Sequence, residues 1–399
     1  MKTVGIISEF NPFHNGHKYL IDTVKEKLNP DAIIILMSGN FVQRGEPSII
    51  DKWTRSKVAL LNGANLVLEL PLPYSTQNAD MFSKGAVYIF NKLNINYLCF
   101  GSETKDLDFL ISVRDYIYTQ EFKDNFSKYL NSGNSYPKSY DLSLKKHFNS
   151  DKLLKSNNIL GLEYLKKLKD FNSNIIPYNI KRVGSDYKST NIKGKYSSAT
   201  ALRKSLNQSH TSNIVESVPK ESLLEINNFY DNYSRFNNLG LYFSSIKHII
   251  IQKGPGYLEK IYDVSEGLHN RIYELIDSST SIDDFIKNVS TKRYTYSKIS
   301  RILNNILLDL RKDFYDNINI EDLSYLRVLS SDNKGFDFMK NNQSYHFISK
   351  YSDYKKINKS NTDTLVFNKT KKAGDIYFSS LMNTSFMNSE FTNNPYIKI

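Results

Sequence analysis

The sequence predicts an α/β fold, with a parallel sheet in the first half of the chain and a mainly helical second half. Up to about residue 205, short apolar runs alternate with amphipathic segments. Strands separated by helices in this way are joined by right-handed crossovers into a parallel sheet. Beyond residue 205 the alternation fades, and helical patterns are easier to recognise than strands. We therefore expect two domains, 1–205 and 206–399.

The elements of the first half follow from hydrophobic periodicity. The run AIIILM at 32–37 is typical of a strand buried on both faces. The helices carry apolar residues three and four positions apart, as a core-facing helix does. The predicted strands are 4–7, 32–37, 66–70 and 97–100, and the predicted helices are 17–28, 53–62 and 83–93.

One helix stands out in the second half, within TKRYTYSKISRILNNILLDLRK. Helical spacing places one apolar face in a core, formed by Ile299, Ile302, Leu303, Ile306, Leu307 and Leu310. Basic residues gather at its ends and outer side: Lys292, Arg293, Lys298, Arg301, Arg311 and Lys312. A solvated surface and an RNA-facing surface explain these charges equally well. Tyr294 and Tyr296 could stack on bases, but a buried position is the commoner role of tyrosine. We expect the polar tail after residue 360 to be partly irregular.

The composition excludes several classes of protein. The 399 residues are 40% hydrophobic and 24% charged, which is typical of a globular chain with a buried core. No apolar run approaches the ~20 residues that cross a bilayer, and no cleavable signal segment can be read at the start. A single cysteine, Cys99, excludes a disulfide framework and a cysteine-based zinc site. We expect a cytoplasmic protein with no membrane partner. Its net charge of +12 is weak support for an RNA partner.

Loops rich in glycine and polar residues follow three of the predicted strands. The stretch 7–20, ISEFNPFHNGHKYL, follows the first strand, and 38–45 and 101–103 follow two others. An open parallel sheet binds its ligand at the carboxyl ends of its strands. These loops therefore outline a candidate site.

His14, Gly16 and His17 stand where the first strand passes into a helix. Backbone N–H groups at a helix N-terminus attract anions, and glycine allows a phosphate to approach the backbone closely. Both imidazoles could donate hydrogen bonds to one phosphate chain and stabilise charge that develops when an α-phosphate is attacked. The structural alternative has His14 capping the turn and His17 on the helix surface. The whole pattern favours the phosphate site.

This pattern resembles the His-x-Gly-His signature of the nucleotidyltransferase superfamily, whose members transfer adenylyl or cytidylyl groups on a Rossmann-like sheet. The superfamily's second element is a Ser/Thr-rich run that ends in a basic residue where a later helix begins, and YSSATALR at 196–203 is similar to it. The resemblance implies that Ser198, Thr200 and Arg203 contact phosphate or the leaving pyrophosphate.

The resemblance narrows to the bacterial tRNA(Met) cytidine acetate ligase family. The stretches that carry it lie in both halves of the chain: GIISEFNPFHNGH, MSGNFVQRGEP, DKWTRSKVAL, NLVLELP, FGSE, SNNILGLEYLK and KRYTYSKISRIL. Members of that family activate acetate with ATP as acetyl-adenylate and then acetylate N4 of the wobble cytidine of elongator tRNA(Met). The resemblance implies a Rossmann-like, ATP-binding nucleotidyltransferase domain over 1–205 and a basic, mainly helical tRNA-binding domain over 206–399.

Site residues follow from the same resemblance. His14 and His17 would be catalytic, and ATP would also contact Gly101, Asn157 and the Arg182–Val183 pair, for which Lys181 is an alternative match by one position. The charge pattern adds tRNA contacts at Lys292, Arg293, Lys298 and Arg301. The ATP loop would comprise Ile7, Ser8, Glu9, Phe10, Asn11, Pro12, Phe13, His14, Asn15, Gly16, His17, Lys18, Tyr19 and Leu20.

The implied chemistry suits these residues. Acetate is ionised at neutral pH, so its activation needs positioning and charge stabilisation rather than a general base. Acetyl transfer needs the wobble base pulled from its stack. Contacts between the protein and the RNA backbone would supply the energy for this step. Mg²⁺ commonly accompanies ATP, but no carboxylate cluster indicates a dedicated metal site, and Glu9 is the nearest candidate. A small-molecule adenylyl- or cytidylyltransferase and a non-enzymatic RNA-binding protein remain alternatives.

Overall fold

The computed structural model describes residues 1–148, 155–184, 192, 194–208, 211–383 and 387–399. The strands in these residues are β1 Thr3–Ser8, β2 Ala32–Ser38, β3 Phe41–Val42, β4 Glu46–Pro47, β5 Leu66–Leu70, β6 Tyr97–Ser102, β7 Ile176–Lys181, β8 Tyr325–Asp332, β9 His346–Ile348 and β10 Tyr396–Lys398.

Helices separate these strands and form most of the second half. Those of the first half are α1 Asn15–Leu28, α2 Lys52–Leu61, α3 Leu72–Ser75, α4 Ala79–Lys92, α5 Leu107–Ile117, α6 Gln120–Asn131, α7 Tyr136–His147, α8 Ser156–Asp170 and α9 Ala199–Asn207. Those of the second half are α10 Lys220–Tyr233, α11 Phe243–Leu258, α12 Leu268–Leu275, α13 Ile282–Val289, α14 Tyr296–Leu307, α15 Lys312–Asp316, α16 Asn333–Lys340, α17 Tyr351–Lys356, α18 Asn361–Ser379 and α19 Ser389–Thr392.

The central sheet has the strand order β10-β8-β5-β2-β1-β6-β7, with β9 paired to β8. Neighbouring strands from β5 to β7 run parallel, so the carboxyl ends of β1, β6 and β7 share one edge. Alternate residues of β2 enter two different cores, which shows that both sheet faces are covered. The four strands predicted in the first half are all present, and the predicted α/β fold class is confirmed.

Helix α4 begins four residues before its predicted start. The side chain of Asn78 accepts a hydrogen bond from the Met81 backbone N–H at 3.0 Å and caps this earlier turn. In the second half, the predicted apolar face of α14 is buried in the helical core. That core also takes in Phe41, Ile49 and Leu202 from the first half, so the two halves pack together. The domain boundary near residue 205 stays a prediction.

The second half also returns to the sheet, which the fading alternation did not predict. Strand β8 pairs antiparallel with β5, and β10 pairs parallel with β8. The tail after Ser360, expected to be partly irregular, begins with α18, which runs for 19 residues, and the described residues 380–383 and 393–395 that follow it are irregular. Ser360 and Asp363 form a reciprocal capping box that starts this helix. Among the described residues, no helix combines the length and apolar character needed to span a membrane.

Candidate active site

A cavity of about 540 Å³ opens at the edge of the sheet where β1, β6 and β7 end. This is the edge at which a parallel sheet is expected to bind its ligand. We call the part of its lining that follows these strands the strand wall. The predicted site residues on this wall are Ile7, Ser8, Glu9, Phe10, Asn11, His14, Gly16, His17, Tyr19, Leu20, Gly101, Asn157, Arg182 and Val183. Lys181, the alternative match, also lines the cavity.

Four residues of the predicted ATP loop do not line the cavity: Pro12, Phe13, Asn15 and Lys18. The loop wraps around the start of α1, so part of it faces away from the cavity. Phe13 is buried in the core beneath the sheet, and the Asn15 amide donates to the backbone carbonyls of Lys195 and Glu216. Lys18 pairs with Asp22 on the helix surface. Their assignment to ATP stays a prediction.

His14 caps α1 and also lines the cavity, so the capping and phosphate-site interpretations are compatible. Its Nδ1 accepts a hydrogen bond from the Gly16 backbone N–H at 3.0 Å. The His14 backbone N–H in turn donates to Nδ1 of His17 at 3.2 Å. The two rings stack with their centroids 3.8 Å apart. Because each Nδ1 accepts a hydrogen bond, each neutral ring carries its proton on Nε2.

Burial keeps both imidazoles neutral. Burial, reinforced by the positive charge of Arg182, lowers the pKa of His14 from 6.5 to about 3. Burial and the neighbouring His14 lower the pKa of His17 well below its ordinary value. The two rings are therefore neutral hydrogen-bond donors through Nε2–H rather than cations.

Glu103 organises the part of the strand wall beside Gly101, a role that no pattern in the sequence predicted. Its carboxylate accepts hydrogen bonds from the backbone N–H groups of Asn157 and Asn158, at 3.2 and 2.8 Å, at the start of α8. It also accepts from the Asn157 side-chain amide at 2.6 Å. Asn157 Oδ1 then accepts from Arg182 at 3.3 Å. This chain fixes the positions of Asn157 and Arg182 beside Gly101.

The Ser/Thr-rich run reaches the cavity through Ala199 and Arg203, whereas Ser198 and Thr200 do not line it. The hydroxyl of Ser198 accepts from the Ala201 backbone N–H and caps α9. Arg203 donates to the Asn11 carbonyl at 2.9 Å and forms an ion pair with Glu46 at 3.1 Å. A phosphate contact from Ser198 or Thr200 stays a prediction.

A second part of the lining is built from the β3–β4 hairpin and the start of α14. We call this set the helix wall: Gln43, Arg44, Thr295, Ser297 and Arg301. The hydroxyl of Ser300 donates to the Gly45 carbonyl at 2.9 Å. Gly45 has φ +77°, and a Cβ there would lie 2.4 Å from the Arg301 backbone. Only glycine allows so close an approach at this φ value.

The four predicted tRNA contacts have different environments. Arg301 lines the cavity, and burial lowers the pKa of its guanidinium. Lys298 and Arg293 form ion pairs with Asp263 and Glu266, and Lys292 is exposed. None of these last three lies on the cavity.

Two expectations about the second half need correction. The buried interpretation is wrong for Tyr296, whose side chain is 50% exposed and donates to Asp283 at 2.7 Å. The second half is also not strongly basic. Residues 206–399 contain 24 Lys and Arg against 22 Asp and Glu, whereas residues 1–205 contain 29 against 19. RNA contact by the second half would therefore depend on local clusters rather than on its overall charge.

Arg55 holds together the loops that follow β1 and β2, a role that no pattern in the sequence predicted. It is fully buried in α2, and its guanidinium donates to the backbone carbonyls of Glu9, Gly39 and Ile50. Burial lowers its pKa to about 10, so it remains a cation at neutral pH. Arg55 thus ties the loop after β1 to the loop after β2.

The residues give little support for a resident metal. No group of three or more His, Cys, Asp or Glu side chains is placed to hold one among the residues that the structure describes. Glu9 lines the cavity and could share a cation with bound phosphates. The need for Mg²⁺ stays a prediction.

Paired histidines at a strand–helix junction, beside a cavity at the end of a parallel sheet, define a nucleotidyltransferase type of site. A family model described as HIGH Nucleotidyl Transferase matches residues 1–394. The tRNA(Met) cytidine acetate ligase of Clostridium tetani is 39% identical over 371 residues, which cover 90% of each chain. That of Clostridium novyi is 37% identical over 412 residues, covering 100% of both.

Solved structures agree with these relatives. Thermotoga maritima TmcAL in an apo form has a TM-score of 0.93 and 30% identity, covering 100% of this chain and 99% of that one. A second form, bound with alpha-thio ATP, has a TM-score of 0.90. The chain belongs to the tRNA(Met) cytidine acetate ligase family within the HIGH nucleotidyl transferases. The predicted resemblance is confirmed.

Proposed function

We propose that this protein is an ATP-dependent ligase that activates acetate as acetyl-adenylate and acetylates N4 of the wobble cytidine of elongator tRNA(Met). The observation that carries the proposal is a single cavity with two walls, one built around His14 and His17 and the other from the distant helix α14. Relatives that match along the whole chain bear this name. The reaction would take place in the cytoplasm, where the tRNA is found.

The strand wall supplies what the first step needs. Acetate attacks the α-phosphorus of ATP, and pyrophosphate leaves with the electron pair of the broken bond. His14 and His17 donate Nε2–H hydrogen bonds to the phosphate oxygens, and Arg203 and Arg182 offset the developing negative charge. Since these donors are held in place before ATP binds, little reorganisation accompanies the reaction.

The helix wall supplies a place for the acceptor. Acetyl-adenylate held on the strand wall would share the cavity with Arg44 and Arg301. Two arginines on the helix wall can hold RNA phosphates or stack on a base that has left the anticodon stack. Tyr296 is exposed one residue from the cavity-lining Thr295 and Ser297, where its ring could stack on a neighbouring base.

The test is a mass analysis of nucleosides from unmodified tRNA(Met) incubated with the protein, ATP and labelled acetate. We expect labelled N4-acetylcytidine that requires all four components. Pyrophosphate release without labelled cytidine would instead support an adenylyltransferase with another acceptor. Binding of tRNA without either reaction would indicate a non-enzymatic RNA-binding protein.

A further inference from the structure

Acetyl transfer makes a demand that acetate activation does not. Acetate attacks as an anion, whereas the cytidine N4 amine must lose a proton as it becomes an amide, which calls for a general base. His14 and His17 do not meet this demand, since each accepts a hydrogen bond at Nδ1 and holds its proton at Nε2. Another side chain of the cavity could accept this proton.

We propose that Glu9 is the catalytic residue that accepts the N4 proton during acetyl transfer. In this step the bond from N4 to the acetyl carbon forms, and the bond from that carbon to the AMP phosphate oxygen breaks. The electron pair of the broken bond leaves on AMP, and the N4 proton passes to the Glu9 carboxylate and later to water. The inference rests on the function proposed above.

The two oxygens of the Glu9 carboxylate have different surroundings. Oε1 accepts a hydrogen bond from the Gln43 backbone N–H at 2.9 Å, which fixes the position of the carboxylate. Oε2 accepts no hydrogen bond from any residue in the described part of the chain. Because Glu9 lines the cavity, Oε2 is the oxygen available to a bound amine.

Glu9 also lies where the two walls meet. Gln43, which anchors it, belongs to the same hairpin as Gly45, whose carbonyl is bound by Ser300 of α14. On the other side, Glu9 belongs to the loop that carries His14 and His17. An acetyl group on the strand wall and a base held against the helix wall would come together beside this carboxylate.

The surroundings make Glu9 a stronger base than an exposed carboxylate. Burial raises its pKa, and Glu46 acts in the same direction, while Arg44 and Arg203 oppose the shift. Proton transfer is most efficient when the pKa of the base approaches the working pH. The charged and titratable groups that face Glu9 are Arg44 and Glu46 of the hairpin, Arg55 of α2, Tyr164 of α8 and Arg203 of α9.

A role in holding ATP would have a different consequence. An ionised carboxylate repels phosphates unless a cation stands between them. If Glu9 held such a cation, its loss would impair the first step at least as much as the second. Measuring acetate activation and acetyl transfer separately, as two half-reactions, therefore distinguishes a proton acceptor from a cation ligand.

The experiment compares Glu9→Gln with wild type in both half-reactions. Glutamine keeps an oxygen for the Gln43 N–H but cannot accept the proton. We expect acetate-dependent ATP–pyrophosphate exchange to fall far less than acetyl transfer does. Single-turnover acetyl transfer to a tRNA(Met) transcript should fall by about 10²- to 10⁴-fold. In wild type, transfer should fall as the pH drops through the pKa of Glu9, and the variant should lack this dependence.

Two variants serve as controls. Glu9→Asp keeps a carboxylate and should retain part of the transfer rate and its pH dependence. Glu26→Gln removes an exposed carboxylate of α1 and should change neither half-reaction. Transfer at the wild-type rate in Glu9→Gln, or an equal loss of exchange, would overturn the inference while leaving the proposed function intact. If wild type itself transfers no acetyl group to tRNA(Met), the proposed function fails and the inference falls with it.

Discussion

The two walls of the cavity are assembled in different ways. On the strand wall, His14 and His17 follow directly from β1, and their positions are set by hydrogen bonds between residues two and three apart. On the helix wall, the hairpin carrying Arg44 is joined to α14 by a hydrogen bond between residues 255 positions apart. We infer that nucleotide chemistry depends on the local motif and acceptor binding on the packing of the two halves. Variants on each wall test this division.

The largest effect should come from His17→Ala. It removes one Nε2–H donor from the strand wall, and loss of one such donor typically slows a reaction by about 10²- to 10³-fold. We expect that loss in acetate-dependent pyrophosphate exchange, with tRNA affinity nearly unchanged in a filter-binding assay.

His14→Ala should slow acetyl-adenylate formation to a similar extent, but it also removes the cap of α1. A matched variant, His14→Asn, keeps a capping side chain and separates the two effects. We expect His14→Asn to fold like wild type and to lose exchange activity. Equal losses of exchange and tRNA binding in these variants would contradict the division between the walls.

The neutral histidines should make the protein sensitive to acid. In the unfolded chain a histidine binds a proton below about pH 6.5, whereas His14 in the folded protein has a pKa of about 3. The unfolded state thus binds more protons between these values. Above about pH 6.5 these histidines do not reduce the free energy of unfolding. As the pH drops below this value, the free energy of unfolding falls by about 1.4 kcal/mol per pH unit for each such histidine.

Urea unfolding of His14→Asn at several pH values would measure this contribution. As the pH drops below about 6.5, the free energy of unfolding of His14→Asn should fall less steeply than that of wild type. The two slopes should differ by about 1.4 kcal/mol per pH unit. Replacing the exposed His248 by Asn should leave the wild-type slope unchanged. Identical slopes for wild type and His14→Asn would show that the imidazole is not held neutral by the fold.

The same contrast explains what could be predicted from the sequence. The strand wall was predictable because a strand, a glycine and two histidines occupy one short stretch. The pairing of the hairpin with α14 could not be predicted, because nothing local in Gly45 or Ser300 indicates the other. Strand β8 was missed because Arg327, Ser330 and Ser331 interrupt its apolar pattern. In the folded chain Ser330 donates to the distant Ser56 carbonyl, and Arg327 donates to the carbonyls of Glu390 and Asn393.

On the helix wall, Arg301→Gln should weaken tRNA use without affecting acetate activation. We expect the KM for tRNA to rise about tenfold, the loss typical of a charged hydrogen bond, with pyrophosphate exchange unchanged. Arg311→Gln, a half-buried arginine beyond the end of α14, is the matched control and should behave like wild type. A fall in exchange with Arg301→Gln would place this arginine on the nucleotide instead.

The smallest effect should come from Lys292→Ala combined with Arg293→Ala, which removes two charges outside the cavity. Arg293 already pairs with Glu266, and both side chains are exposed, so we expect tRNA affinity to fall only a few-fold. If either residue contacts a phosphate, the slope of log affinity against log salt should decrease by about one per contact. Titrations at several salt concentrations would measure it. An unchanged slope would assign Lys292 and Arg293 to a solvated surface. Contact with tRNA in this region would then depend on residues at the cavity, such as Arg301 of α14.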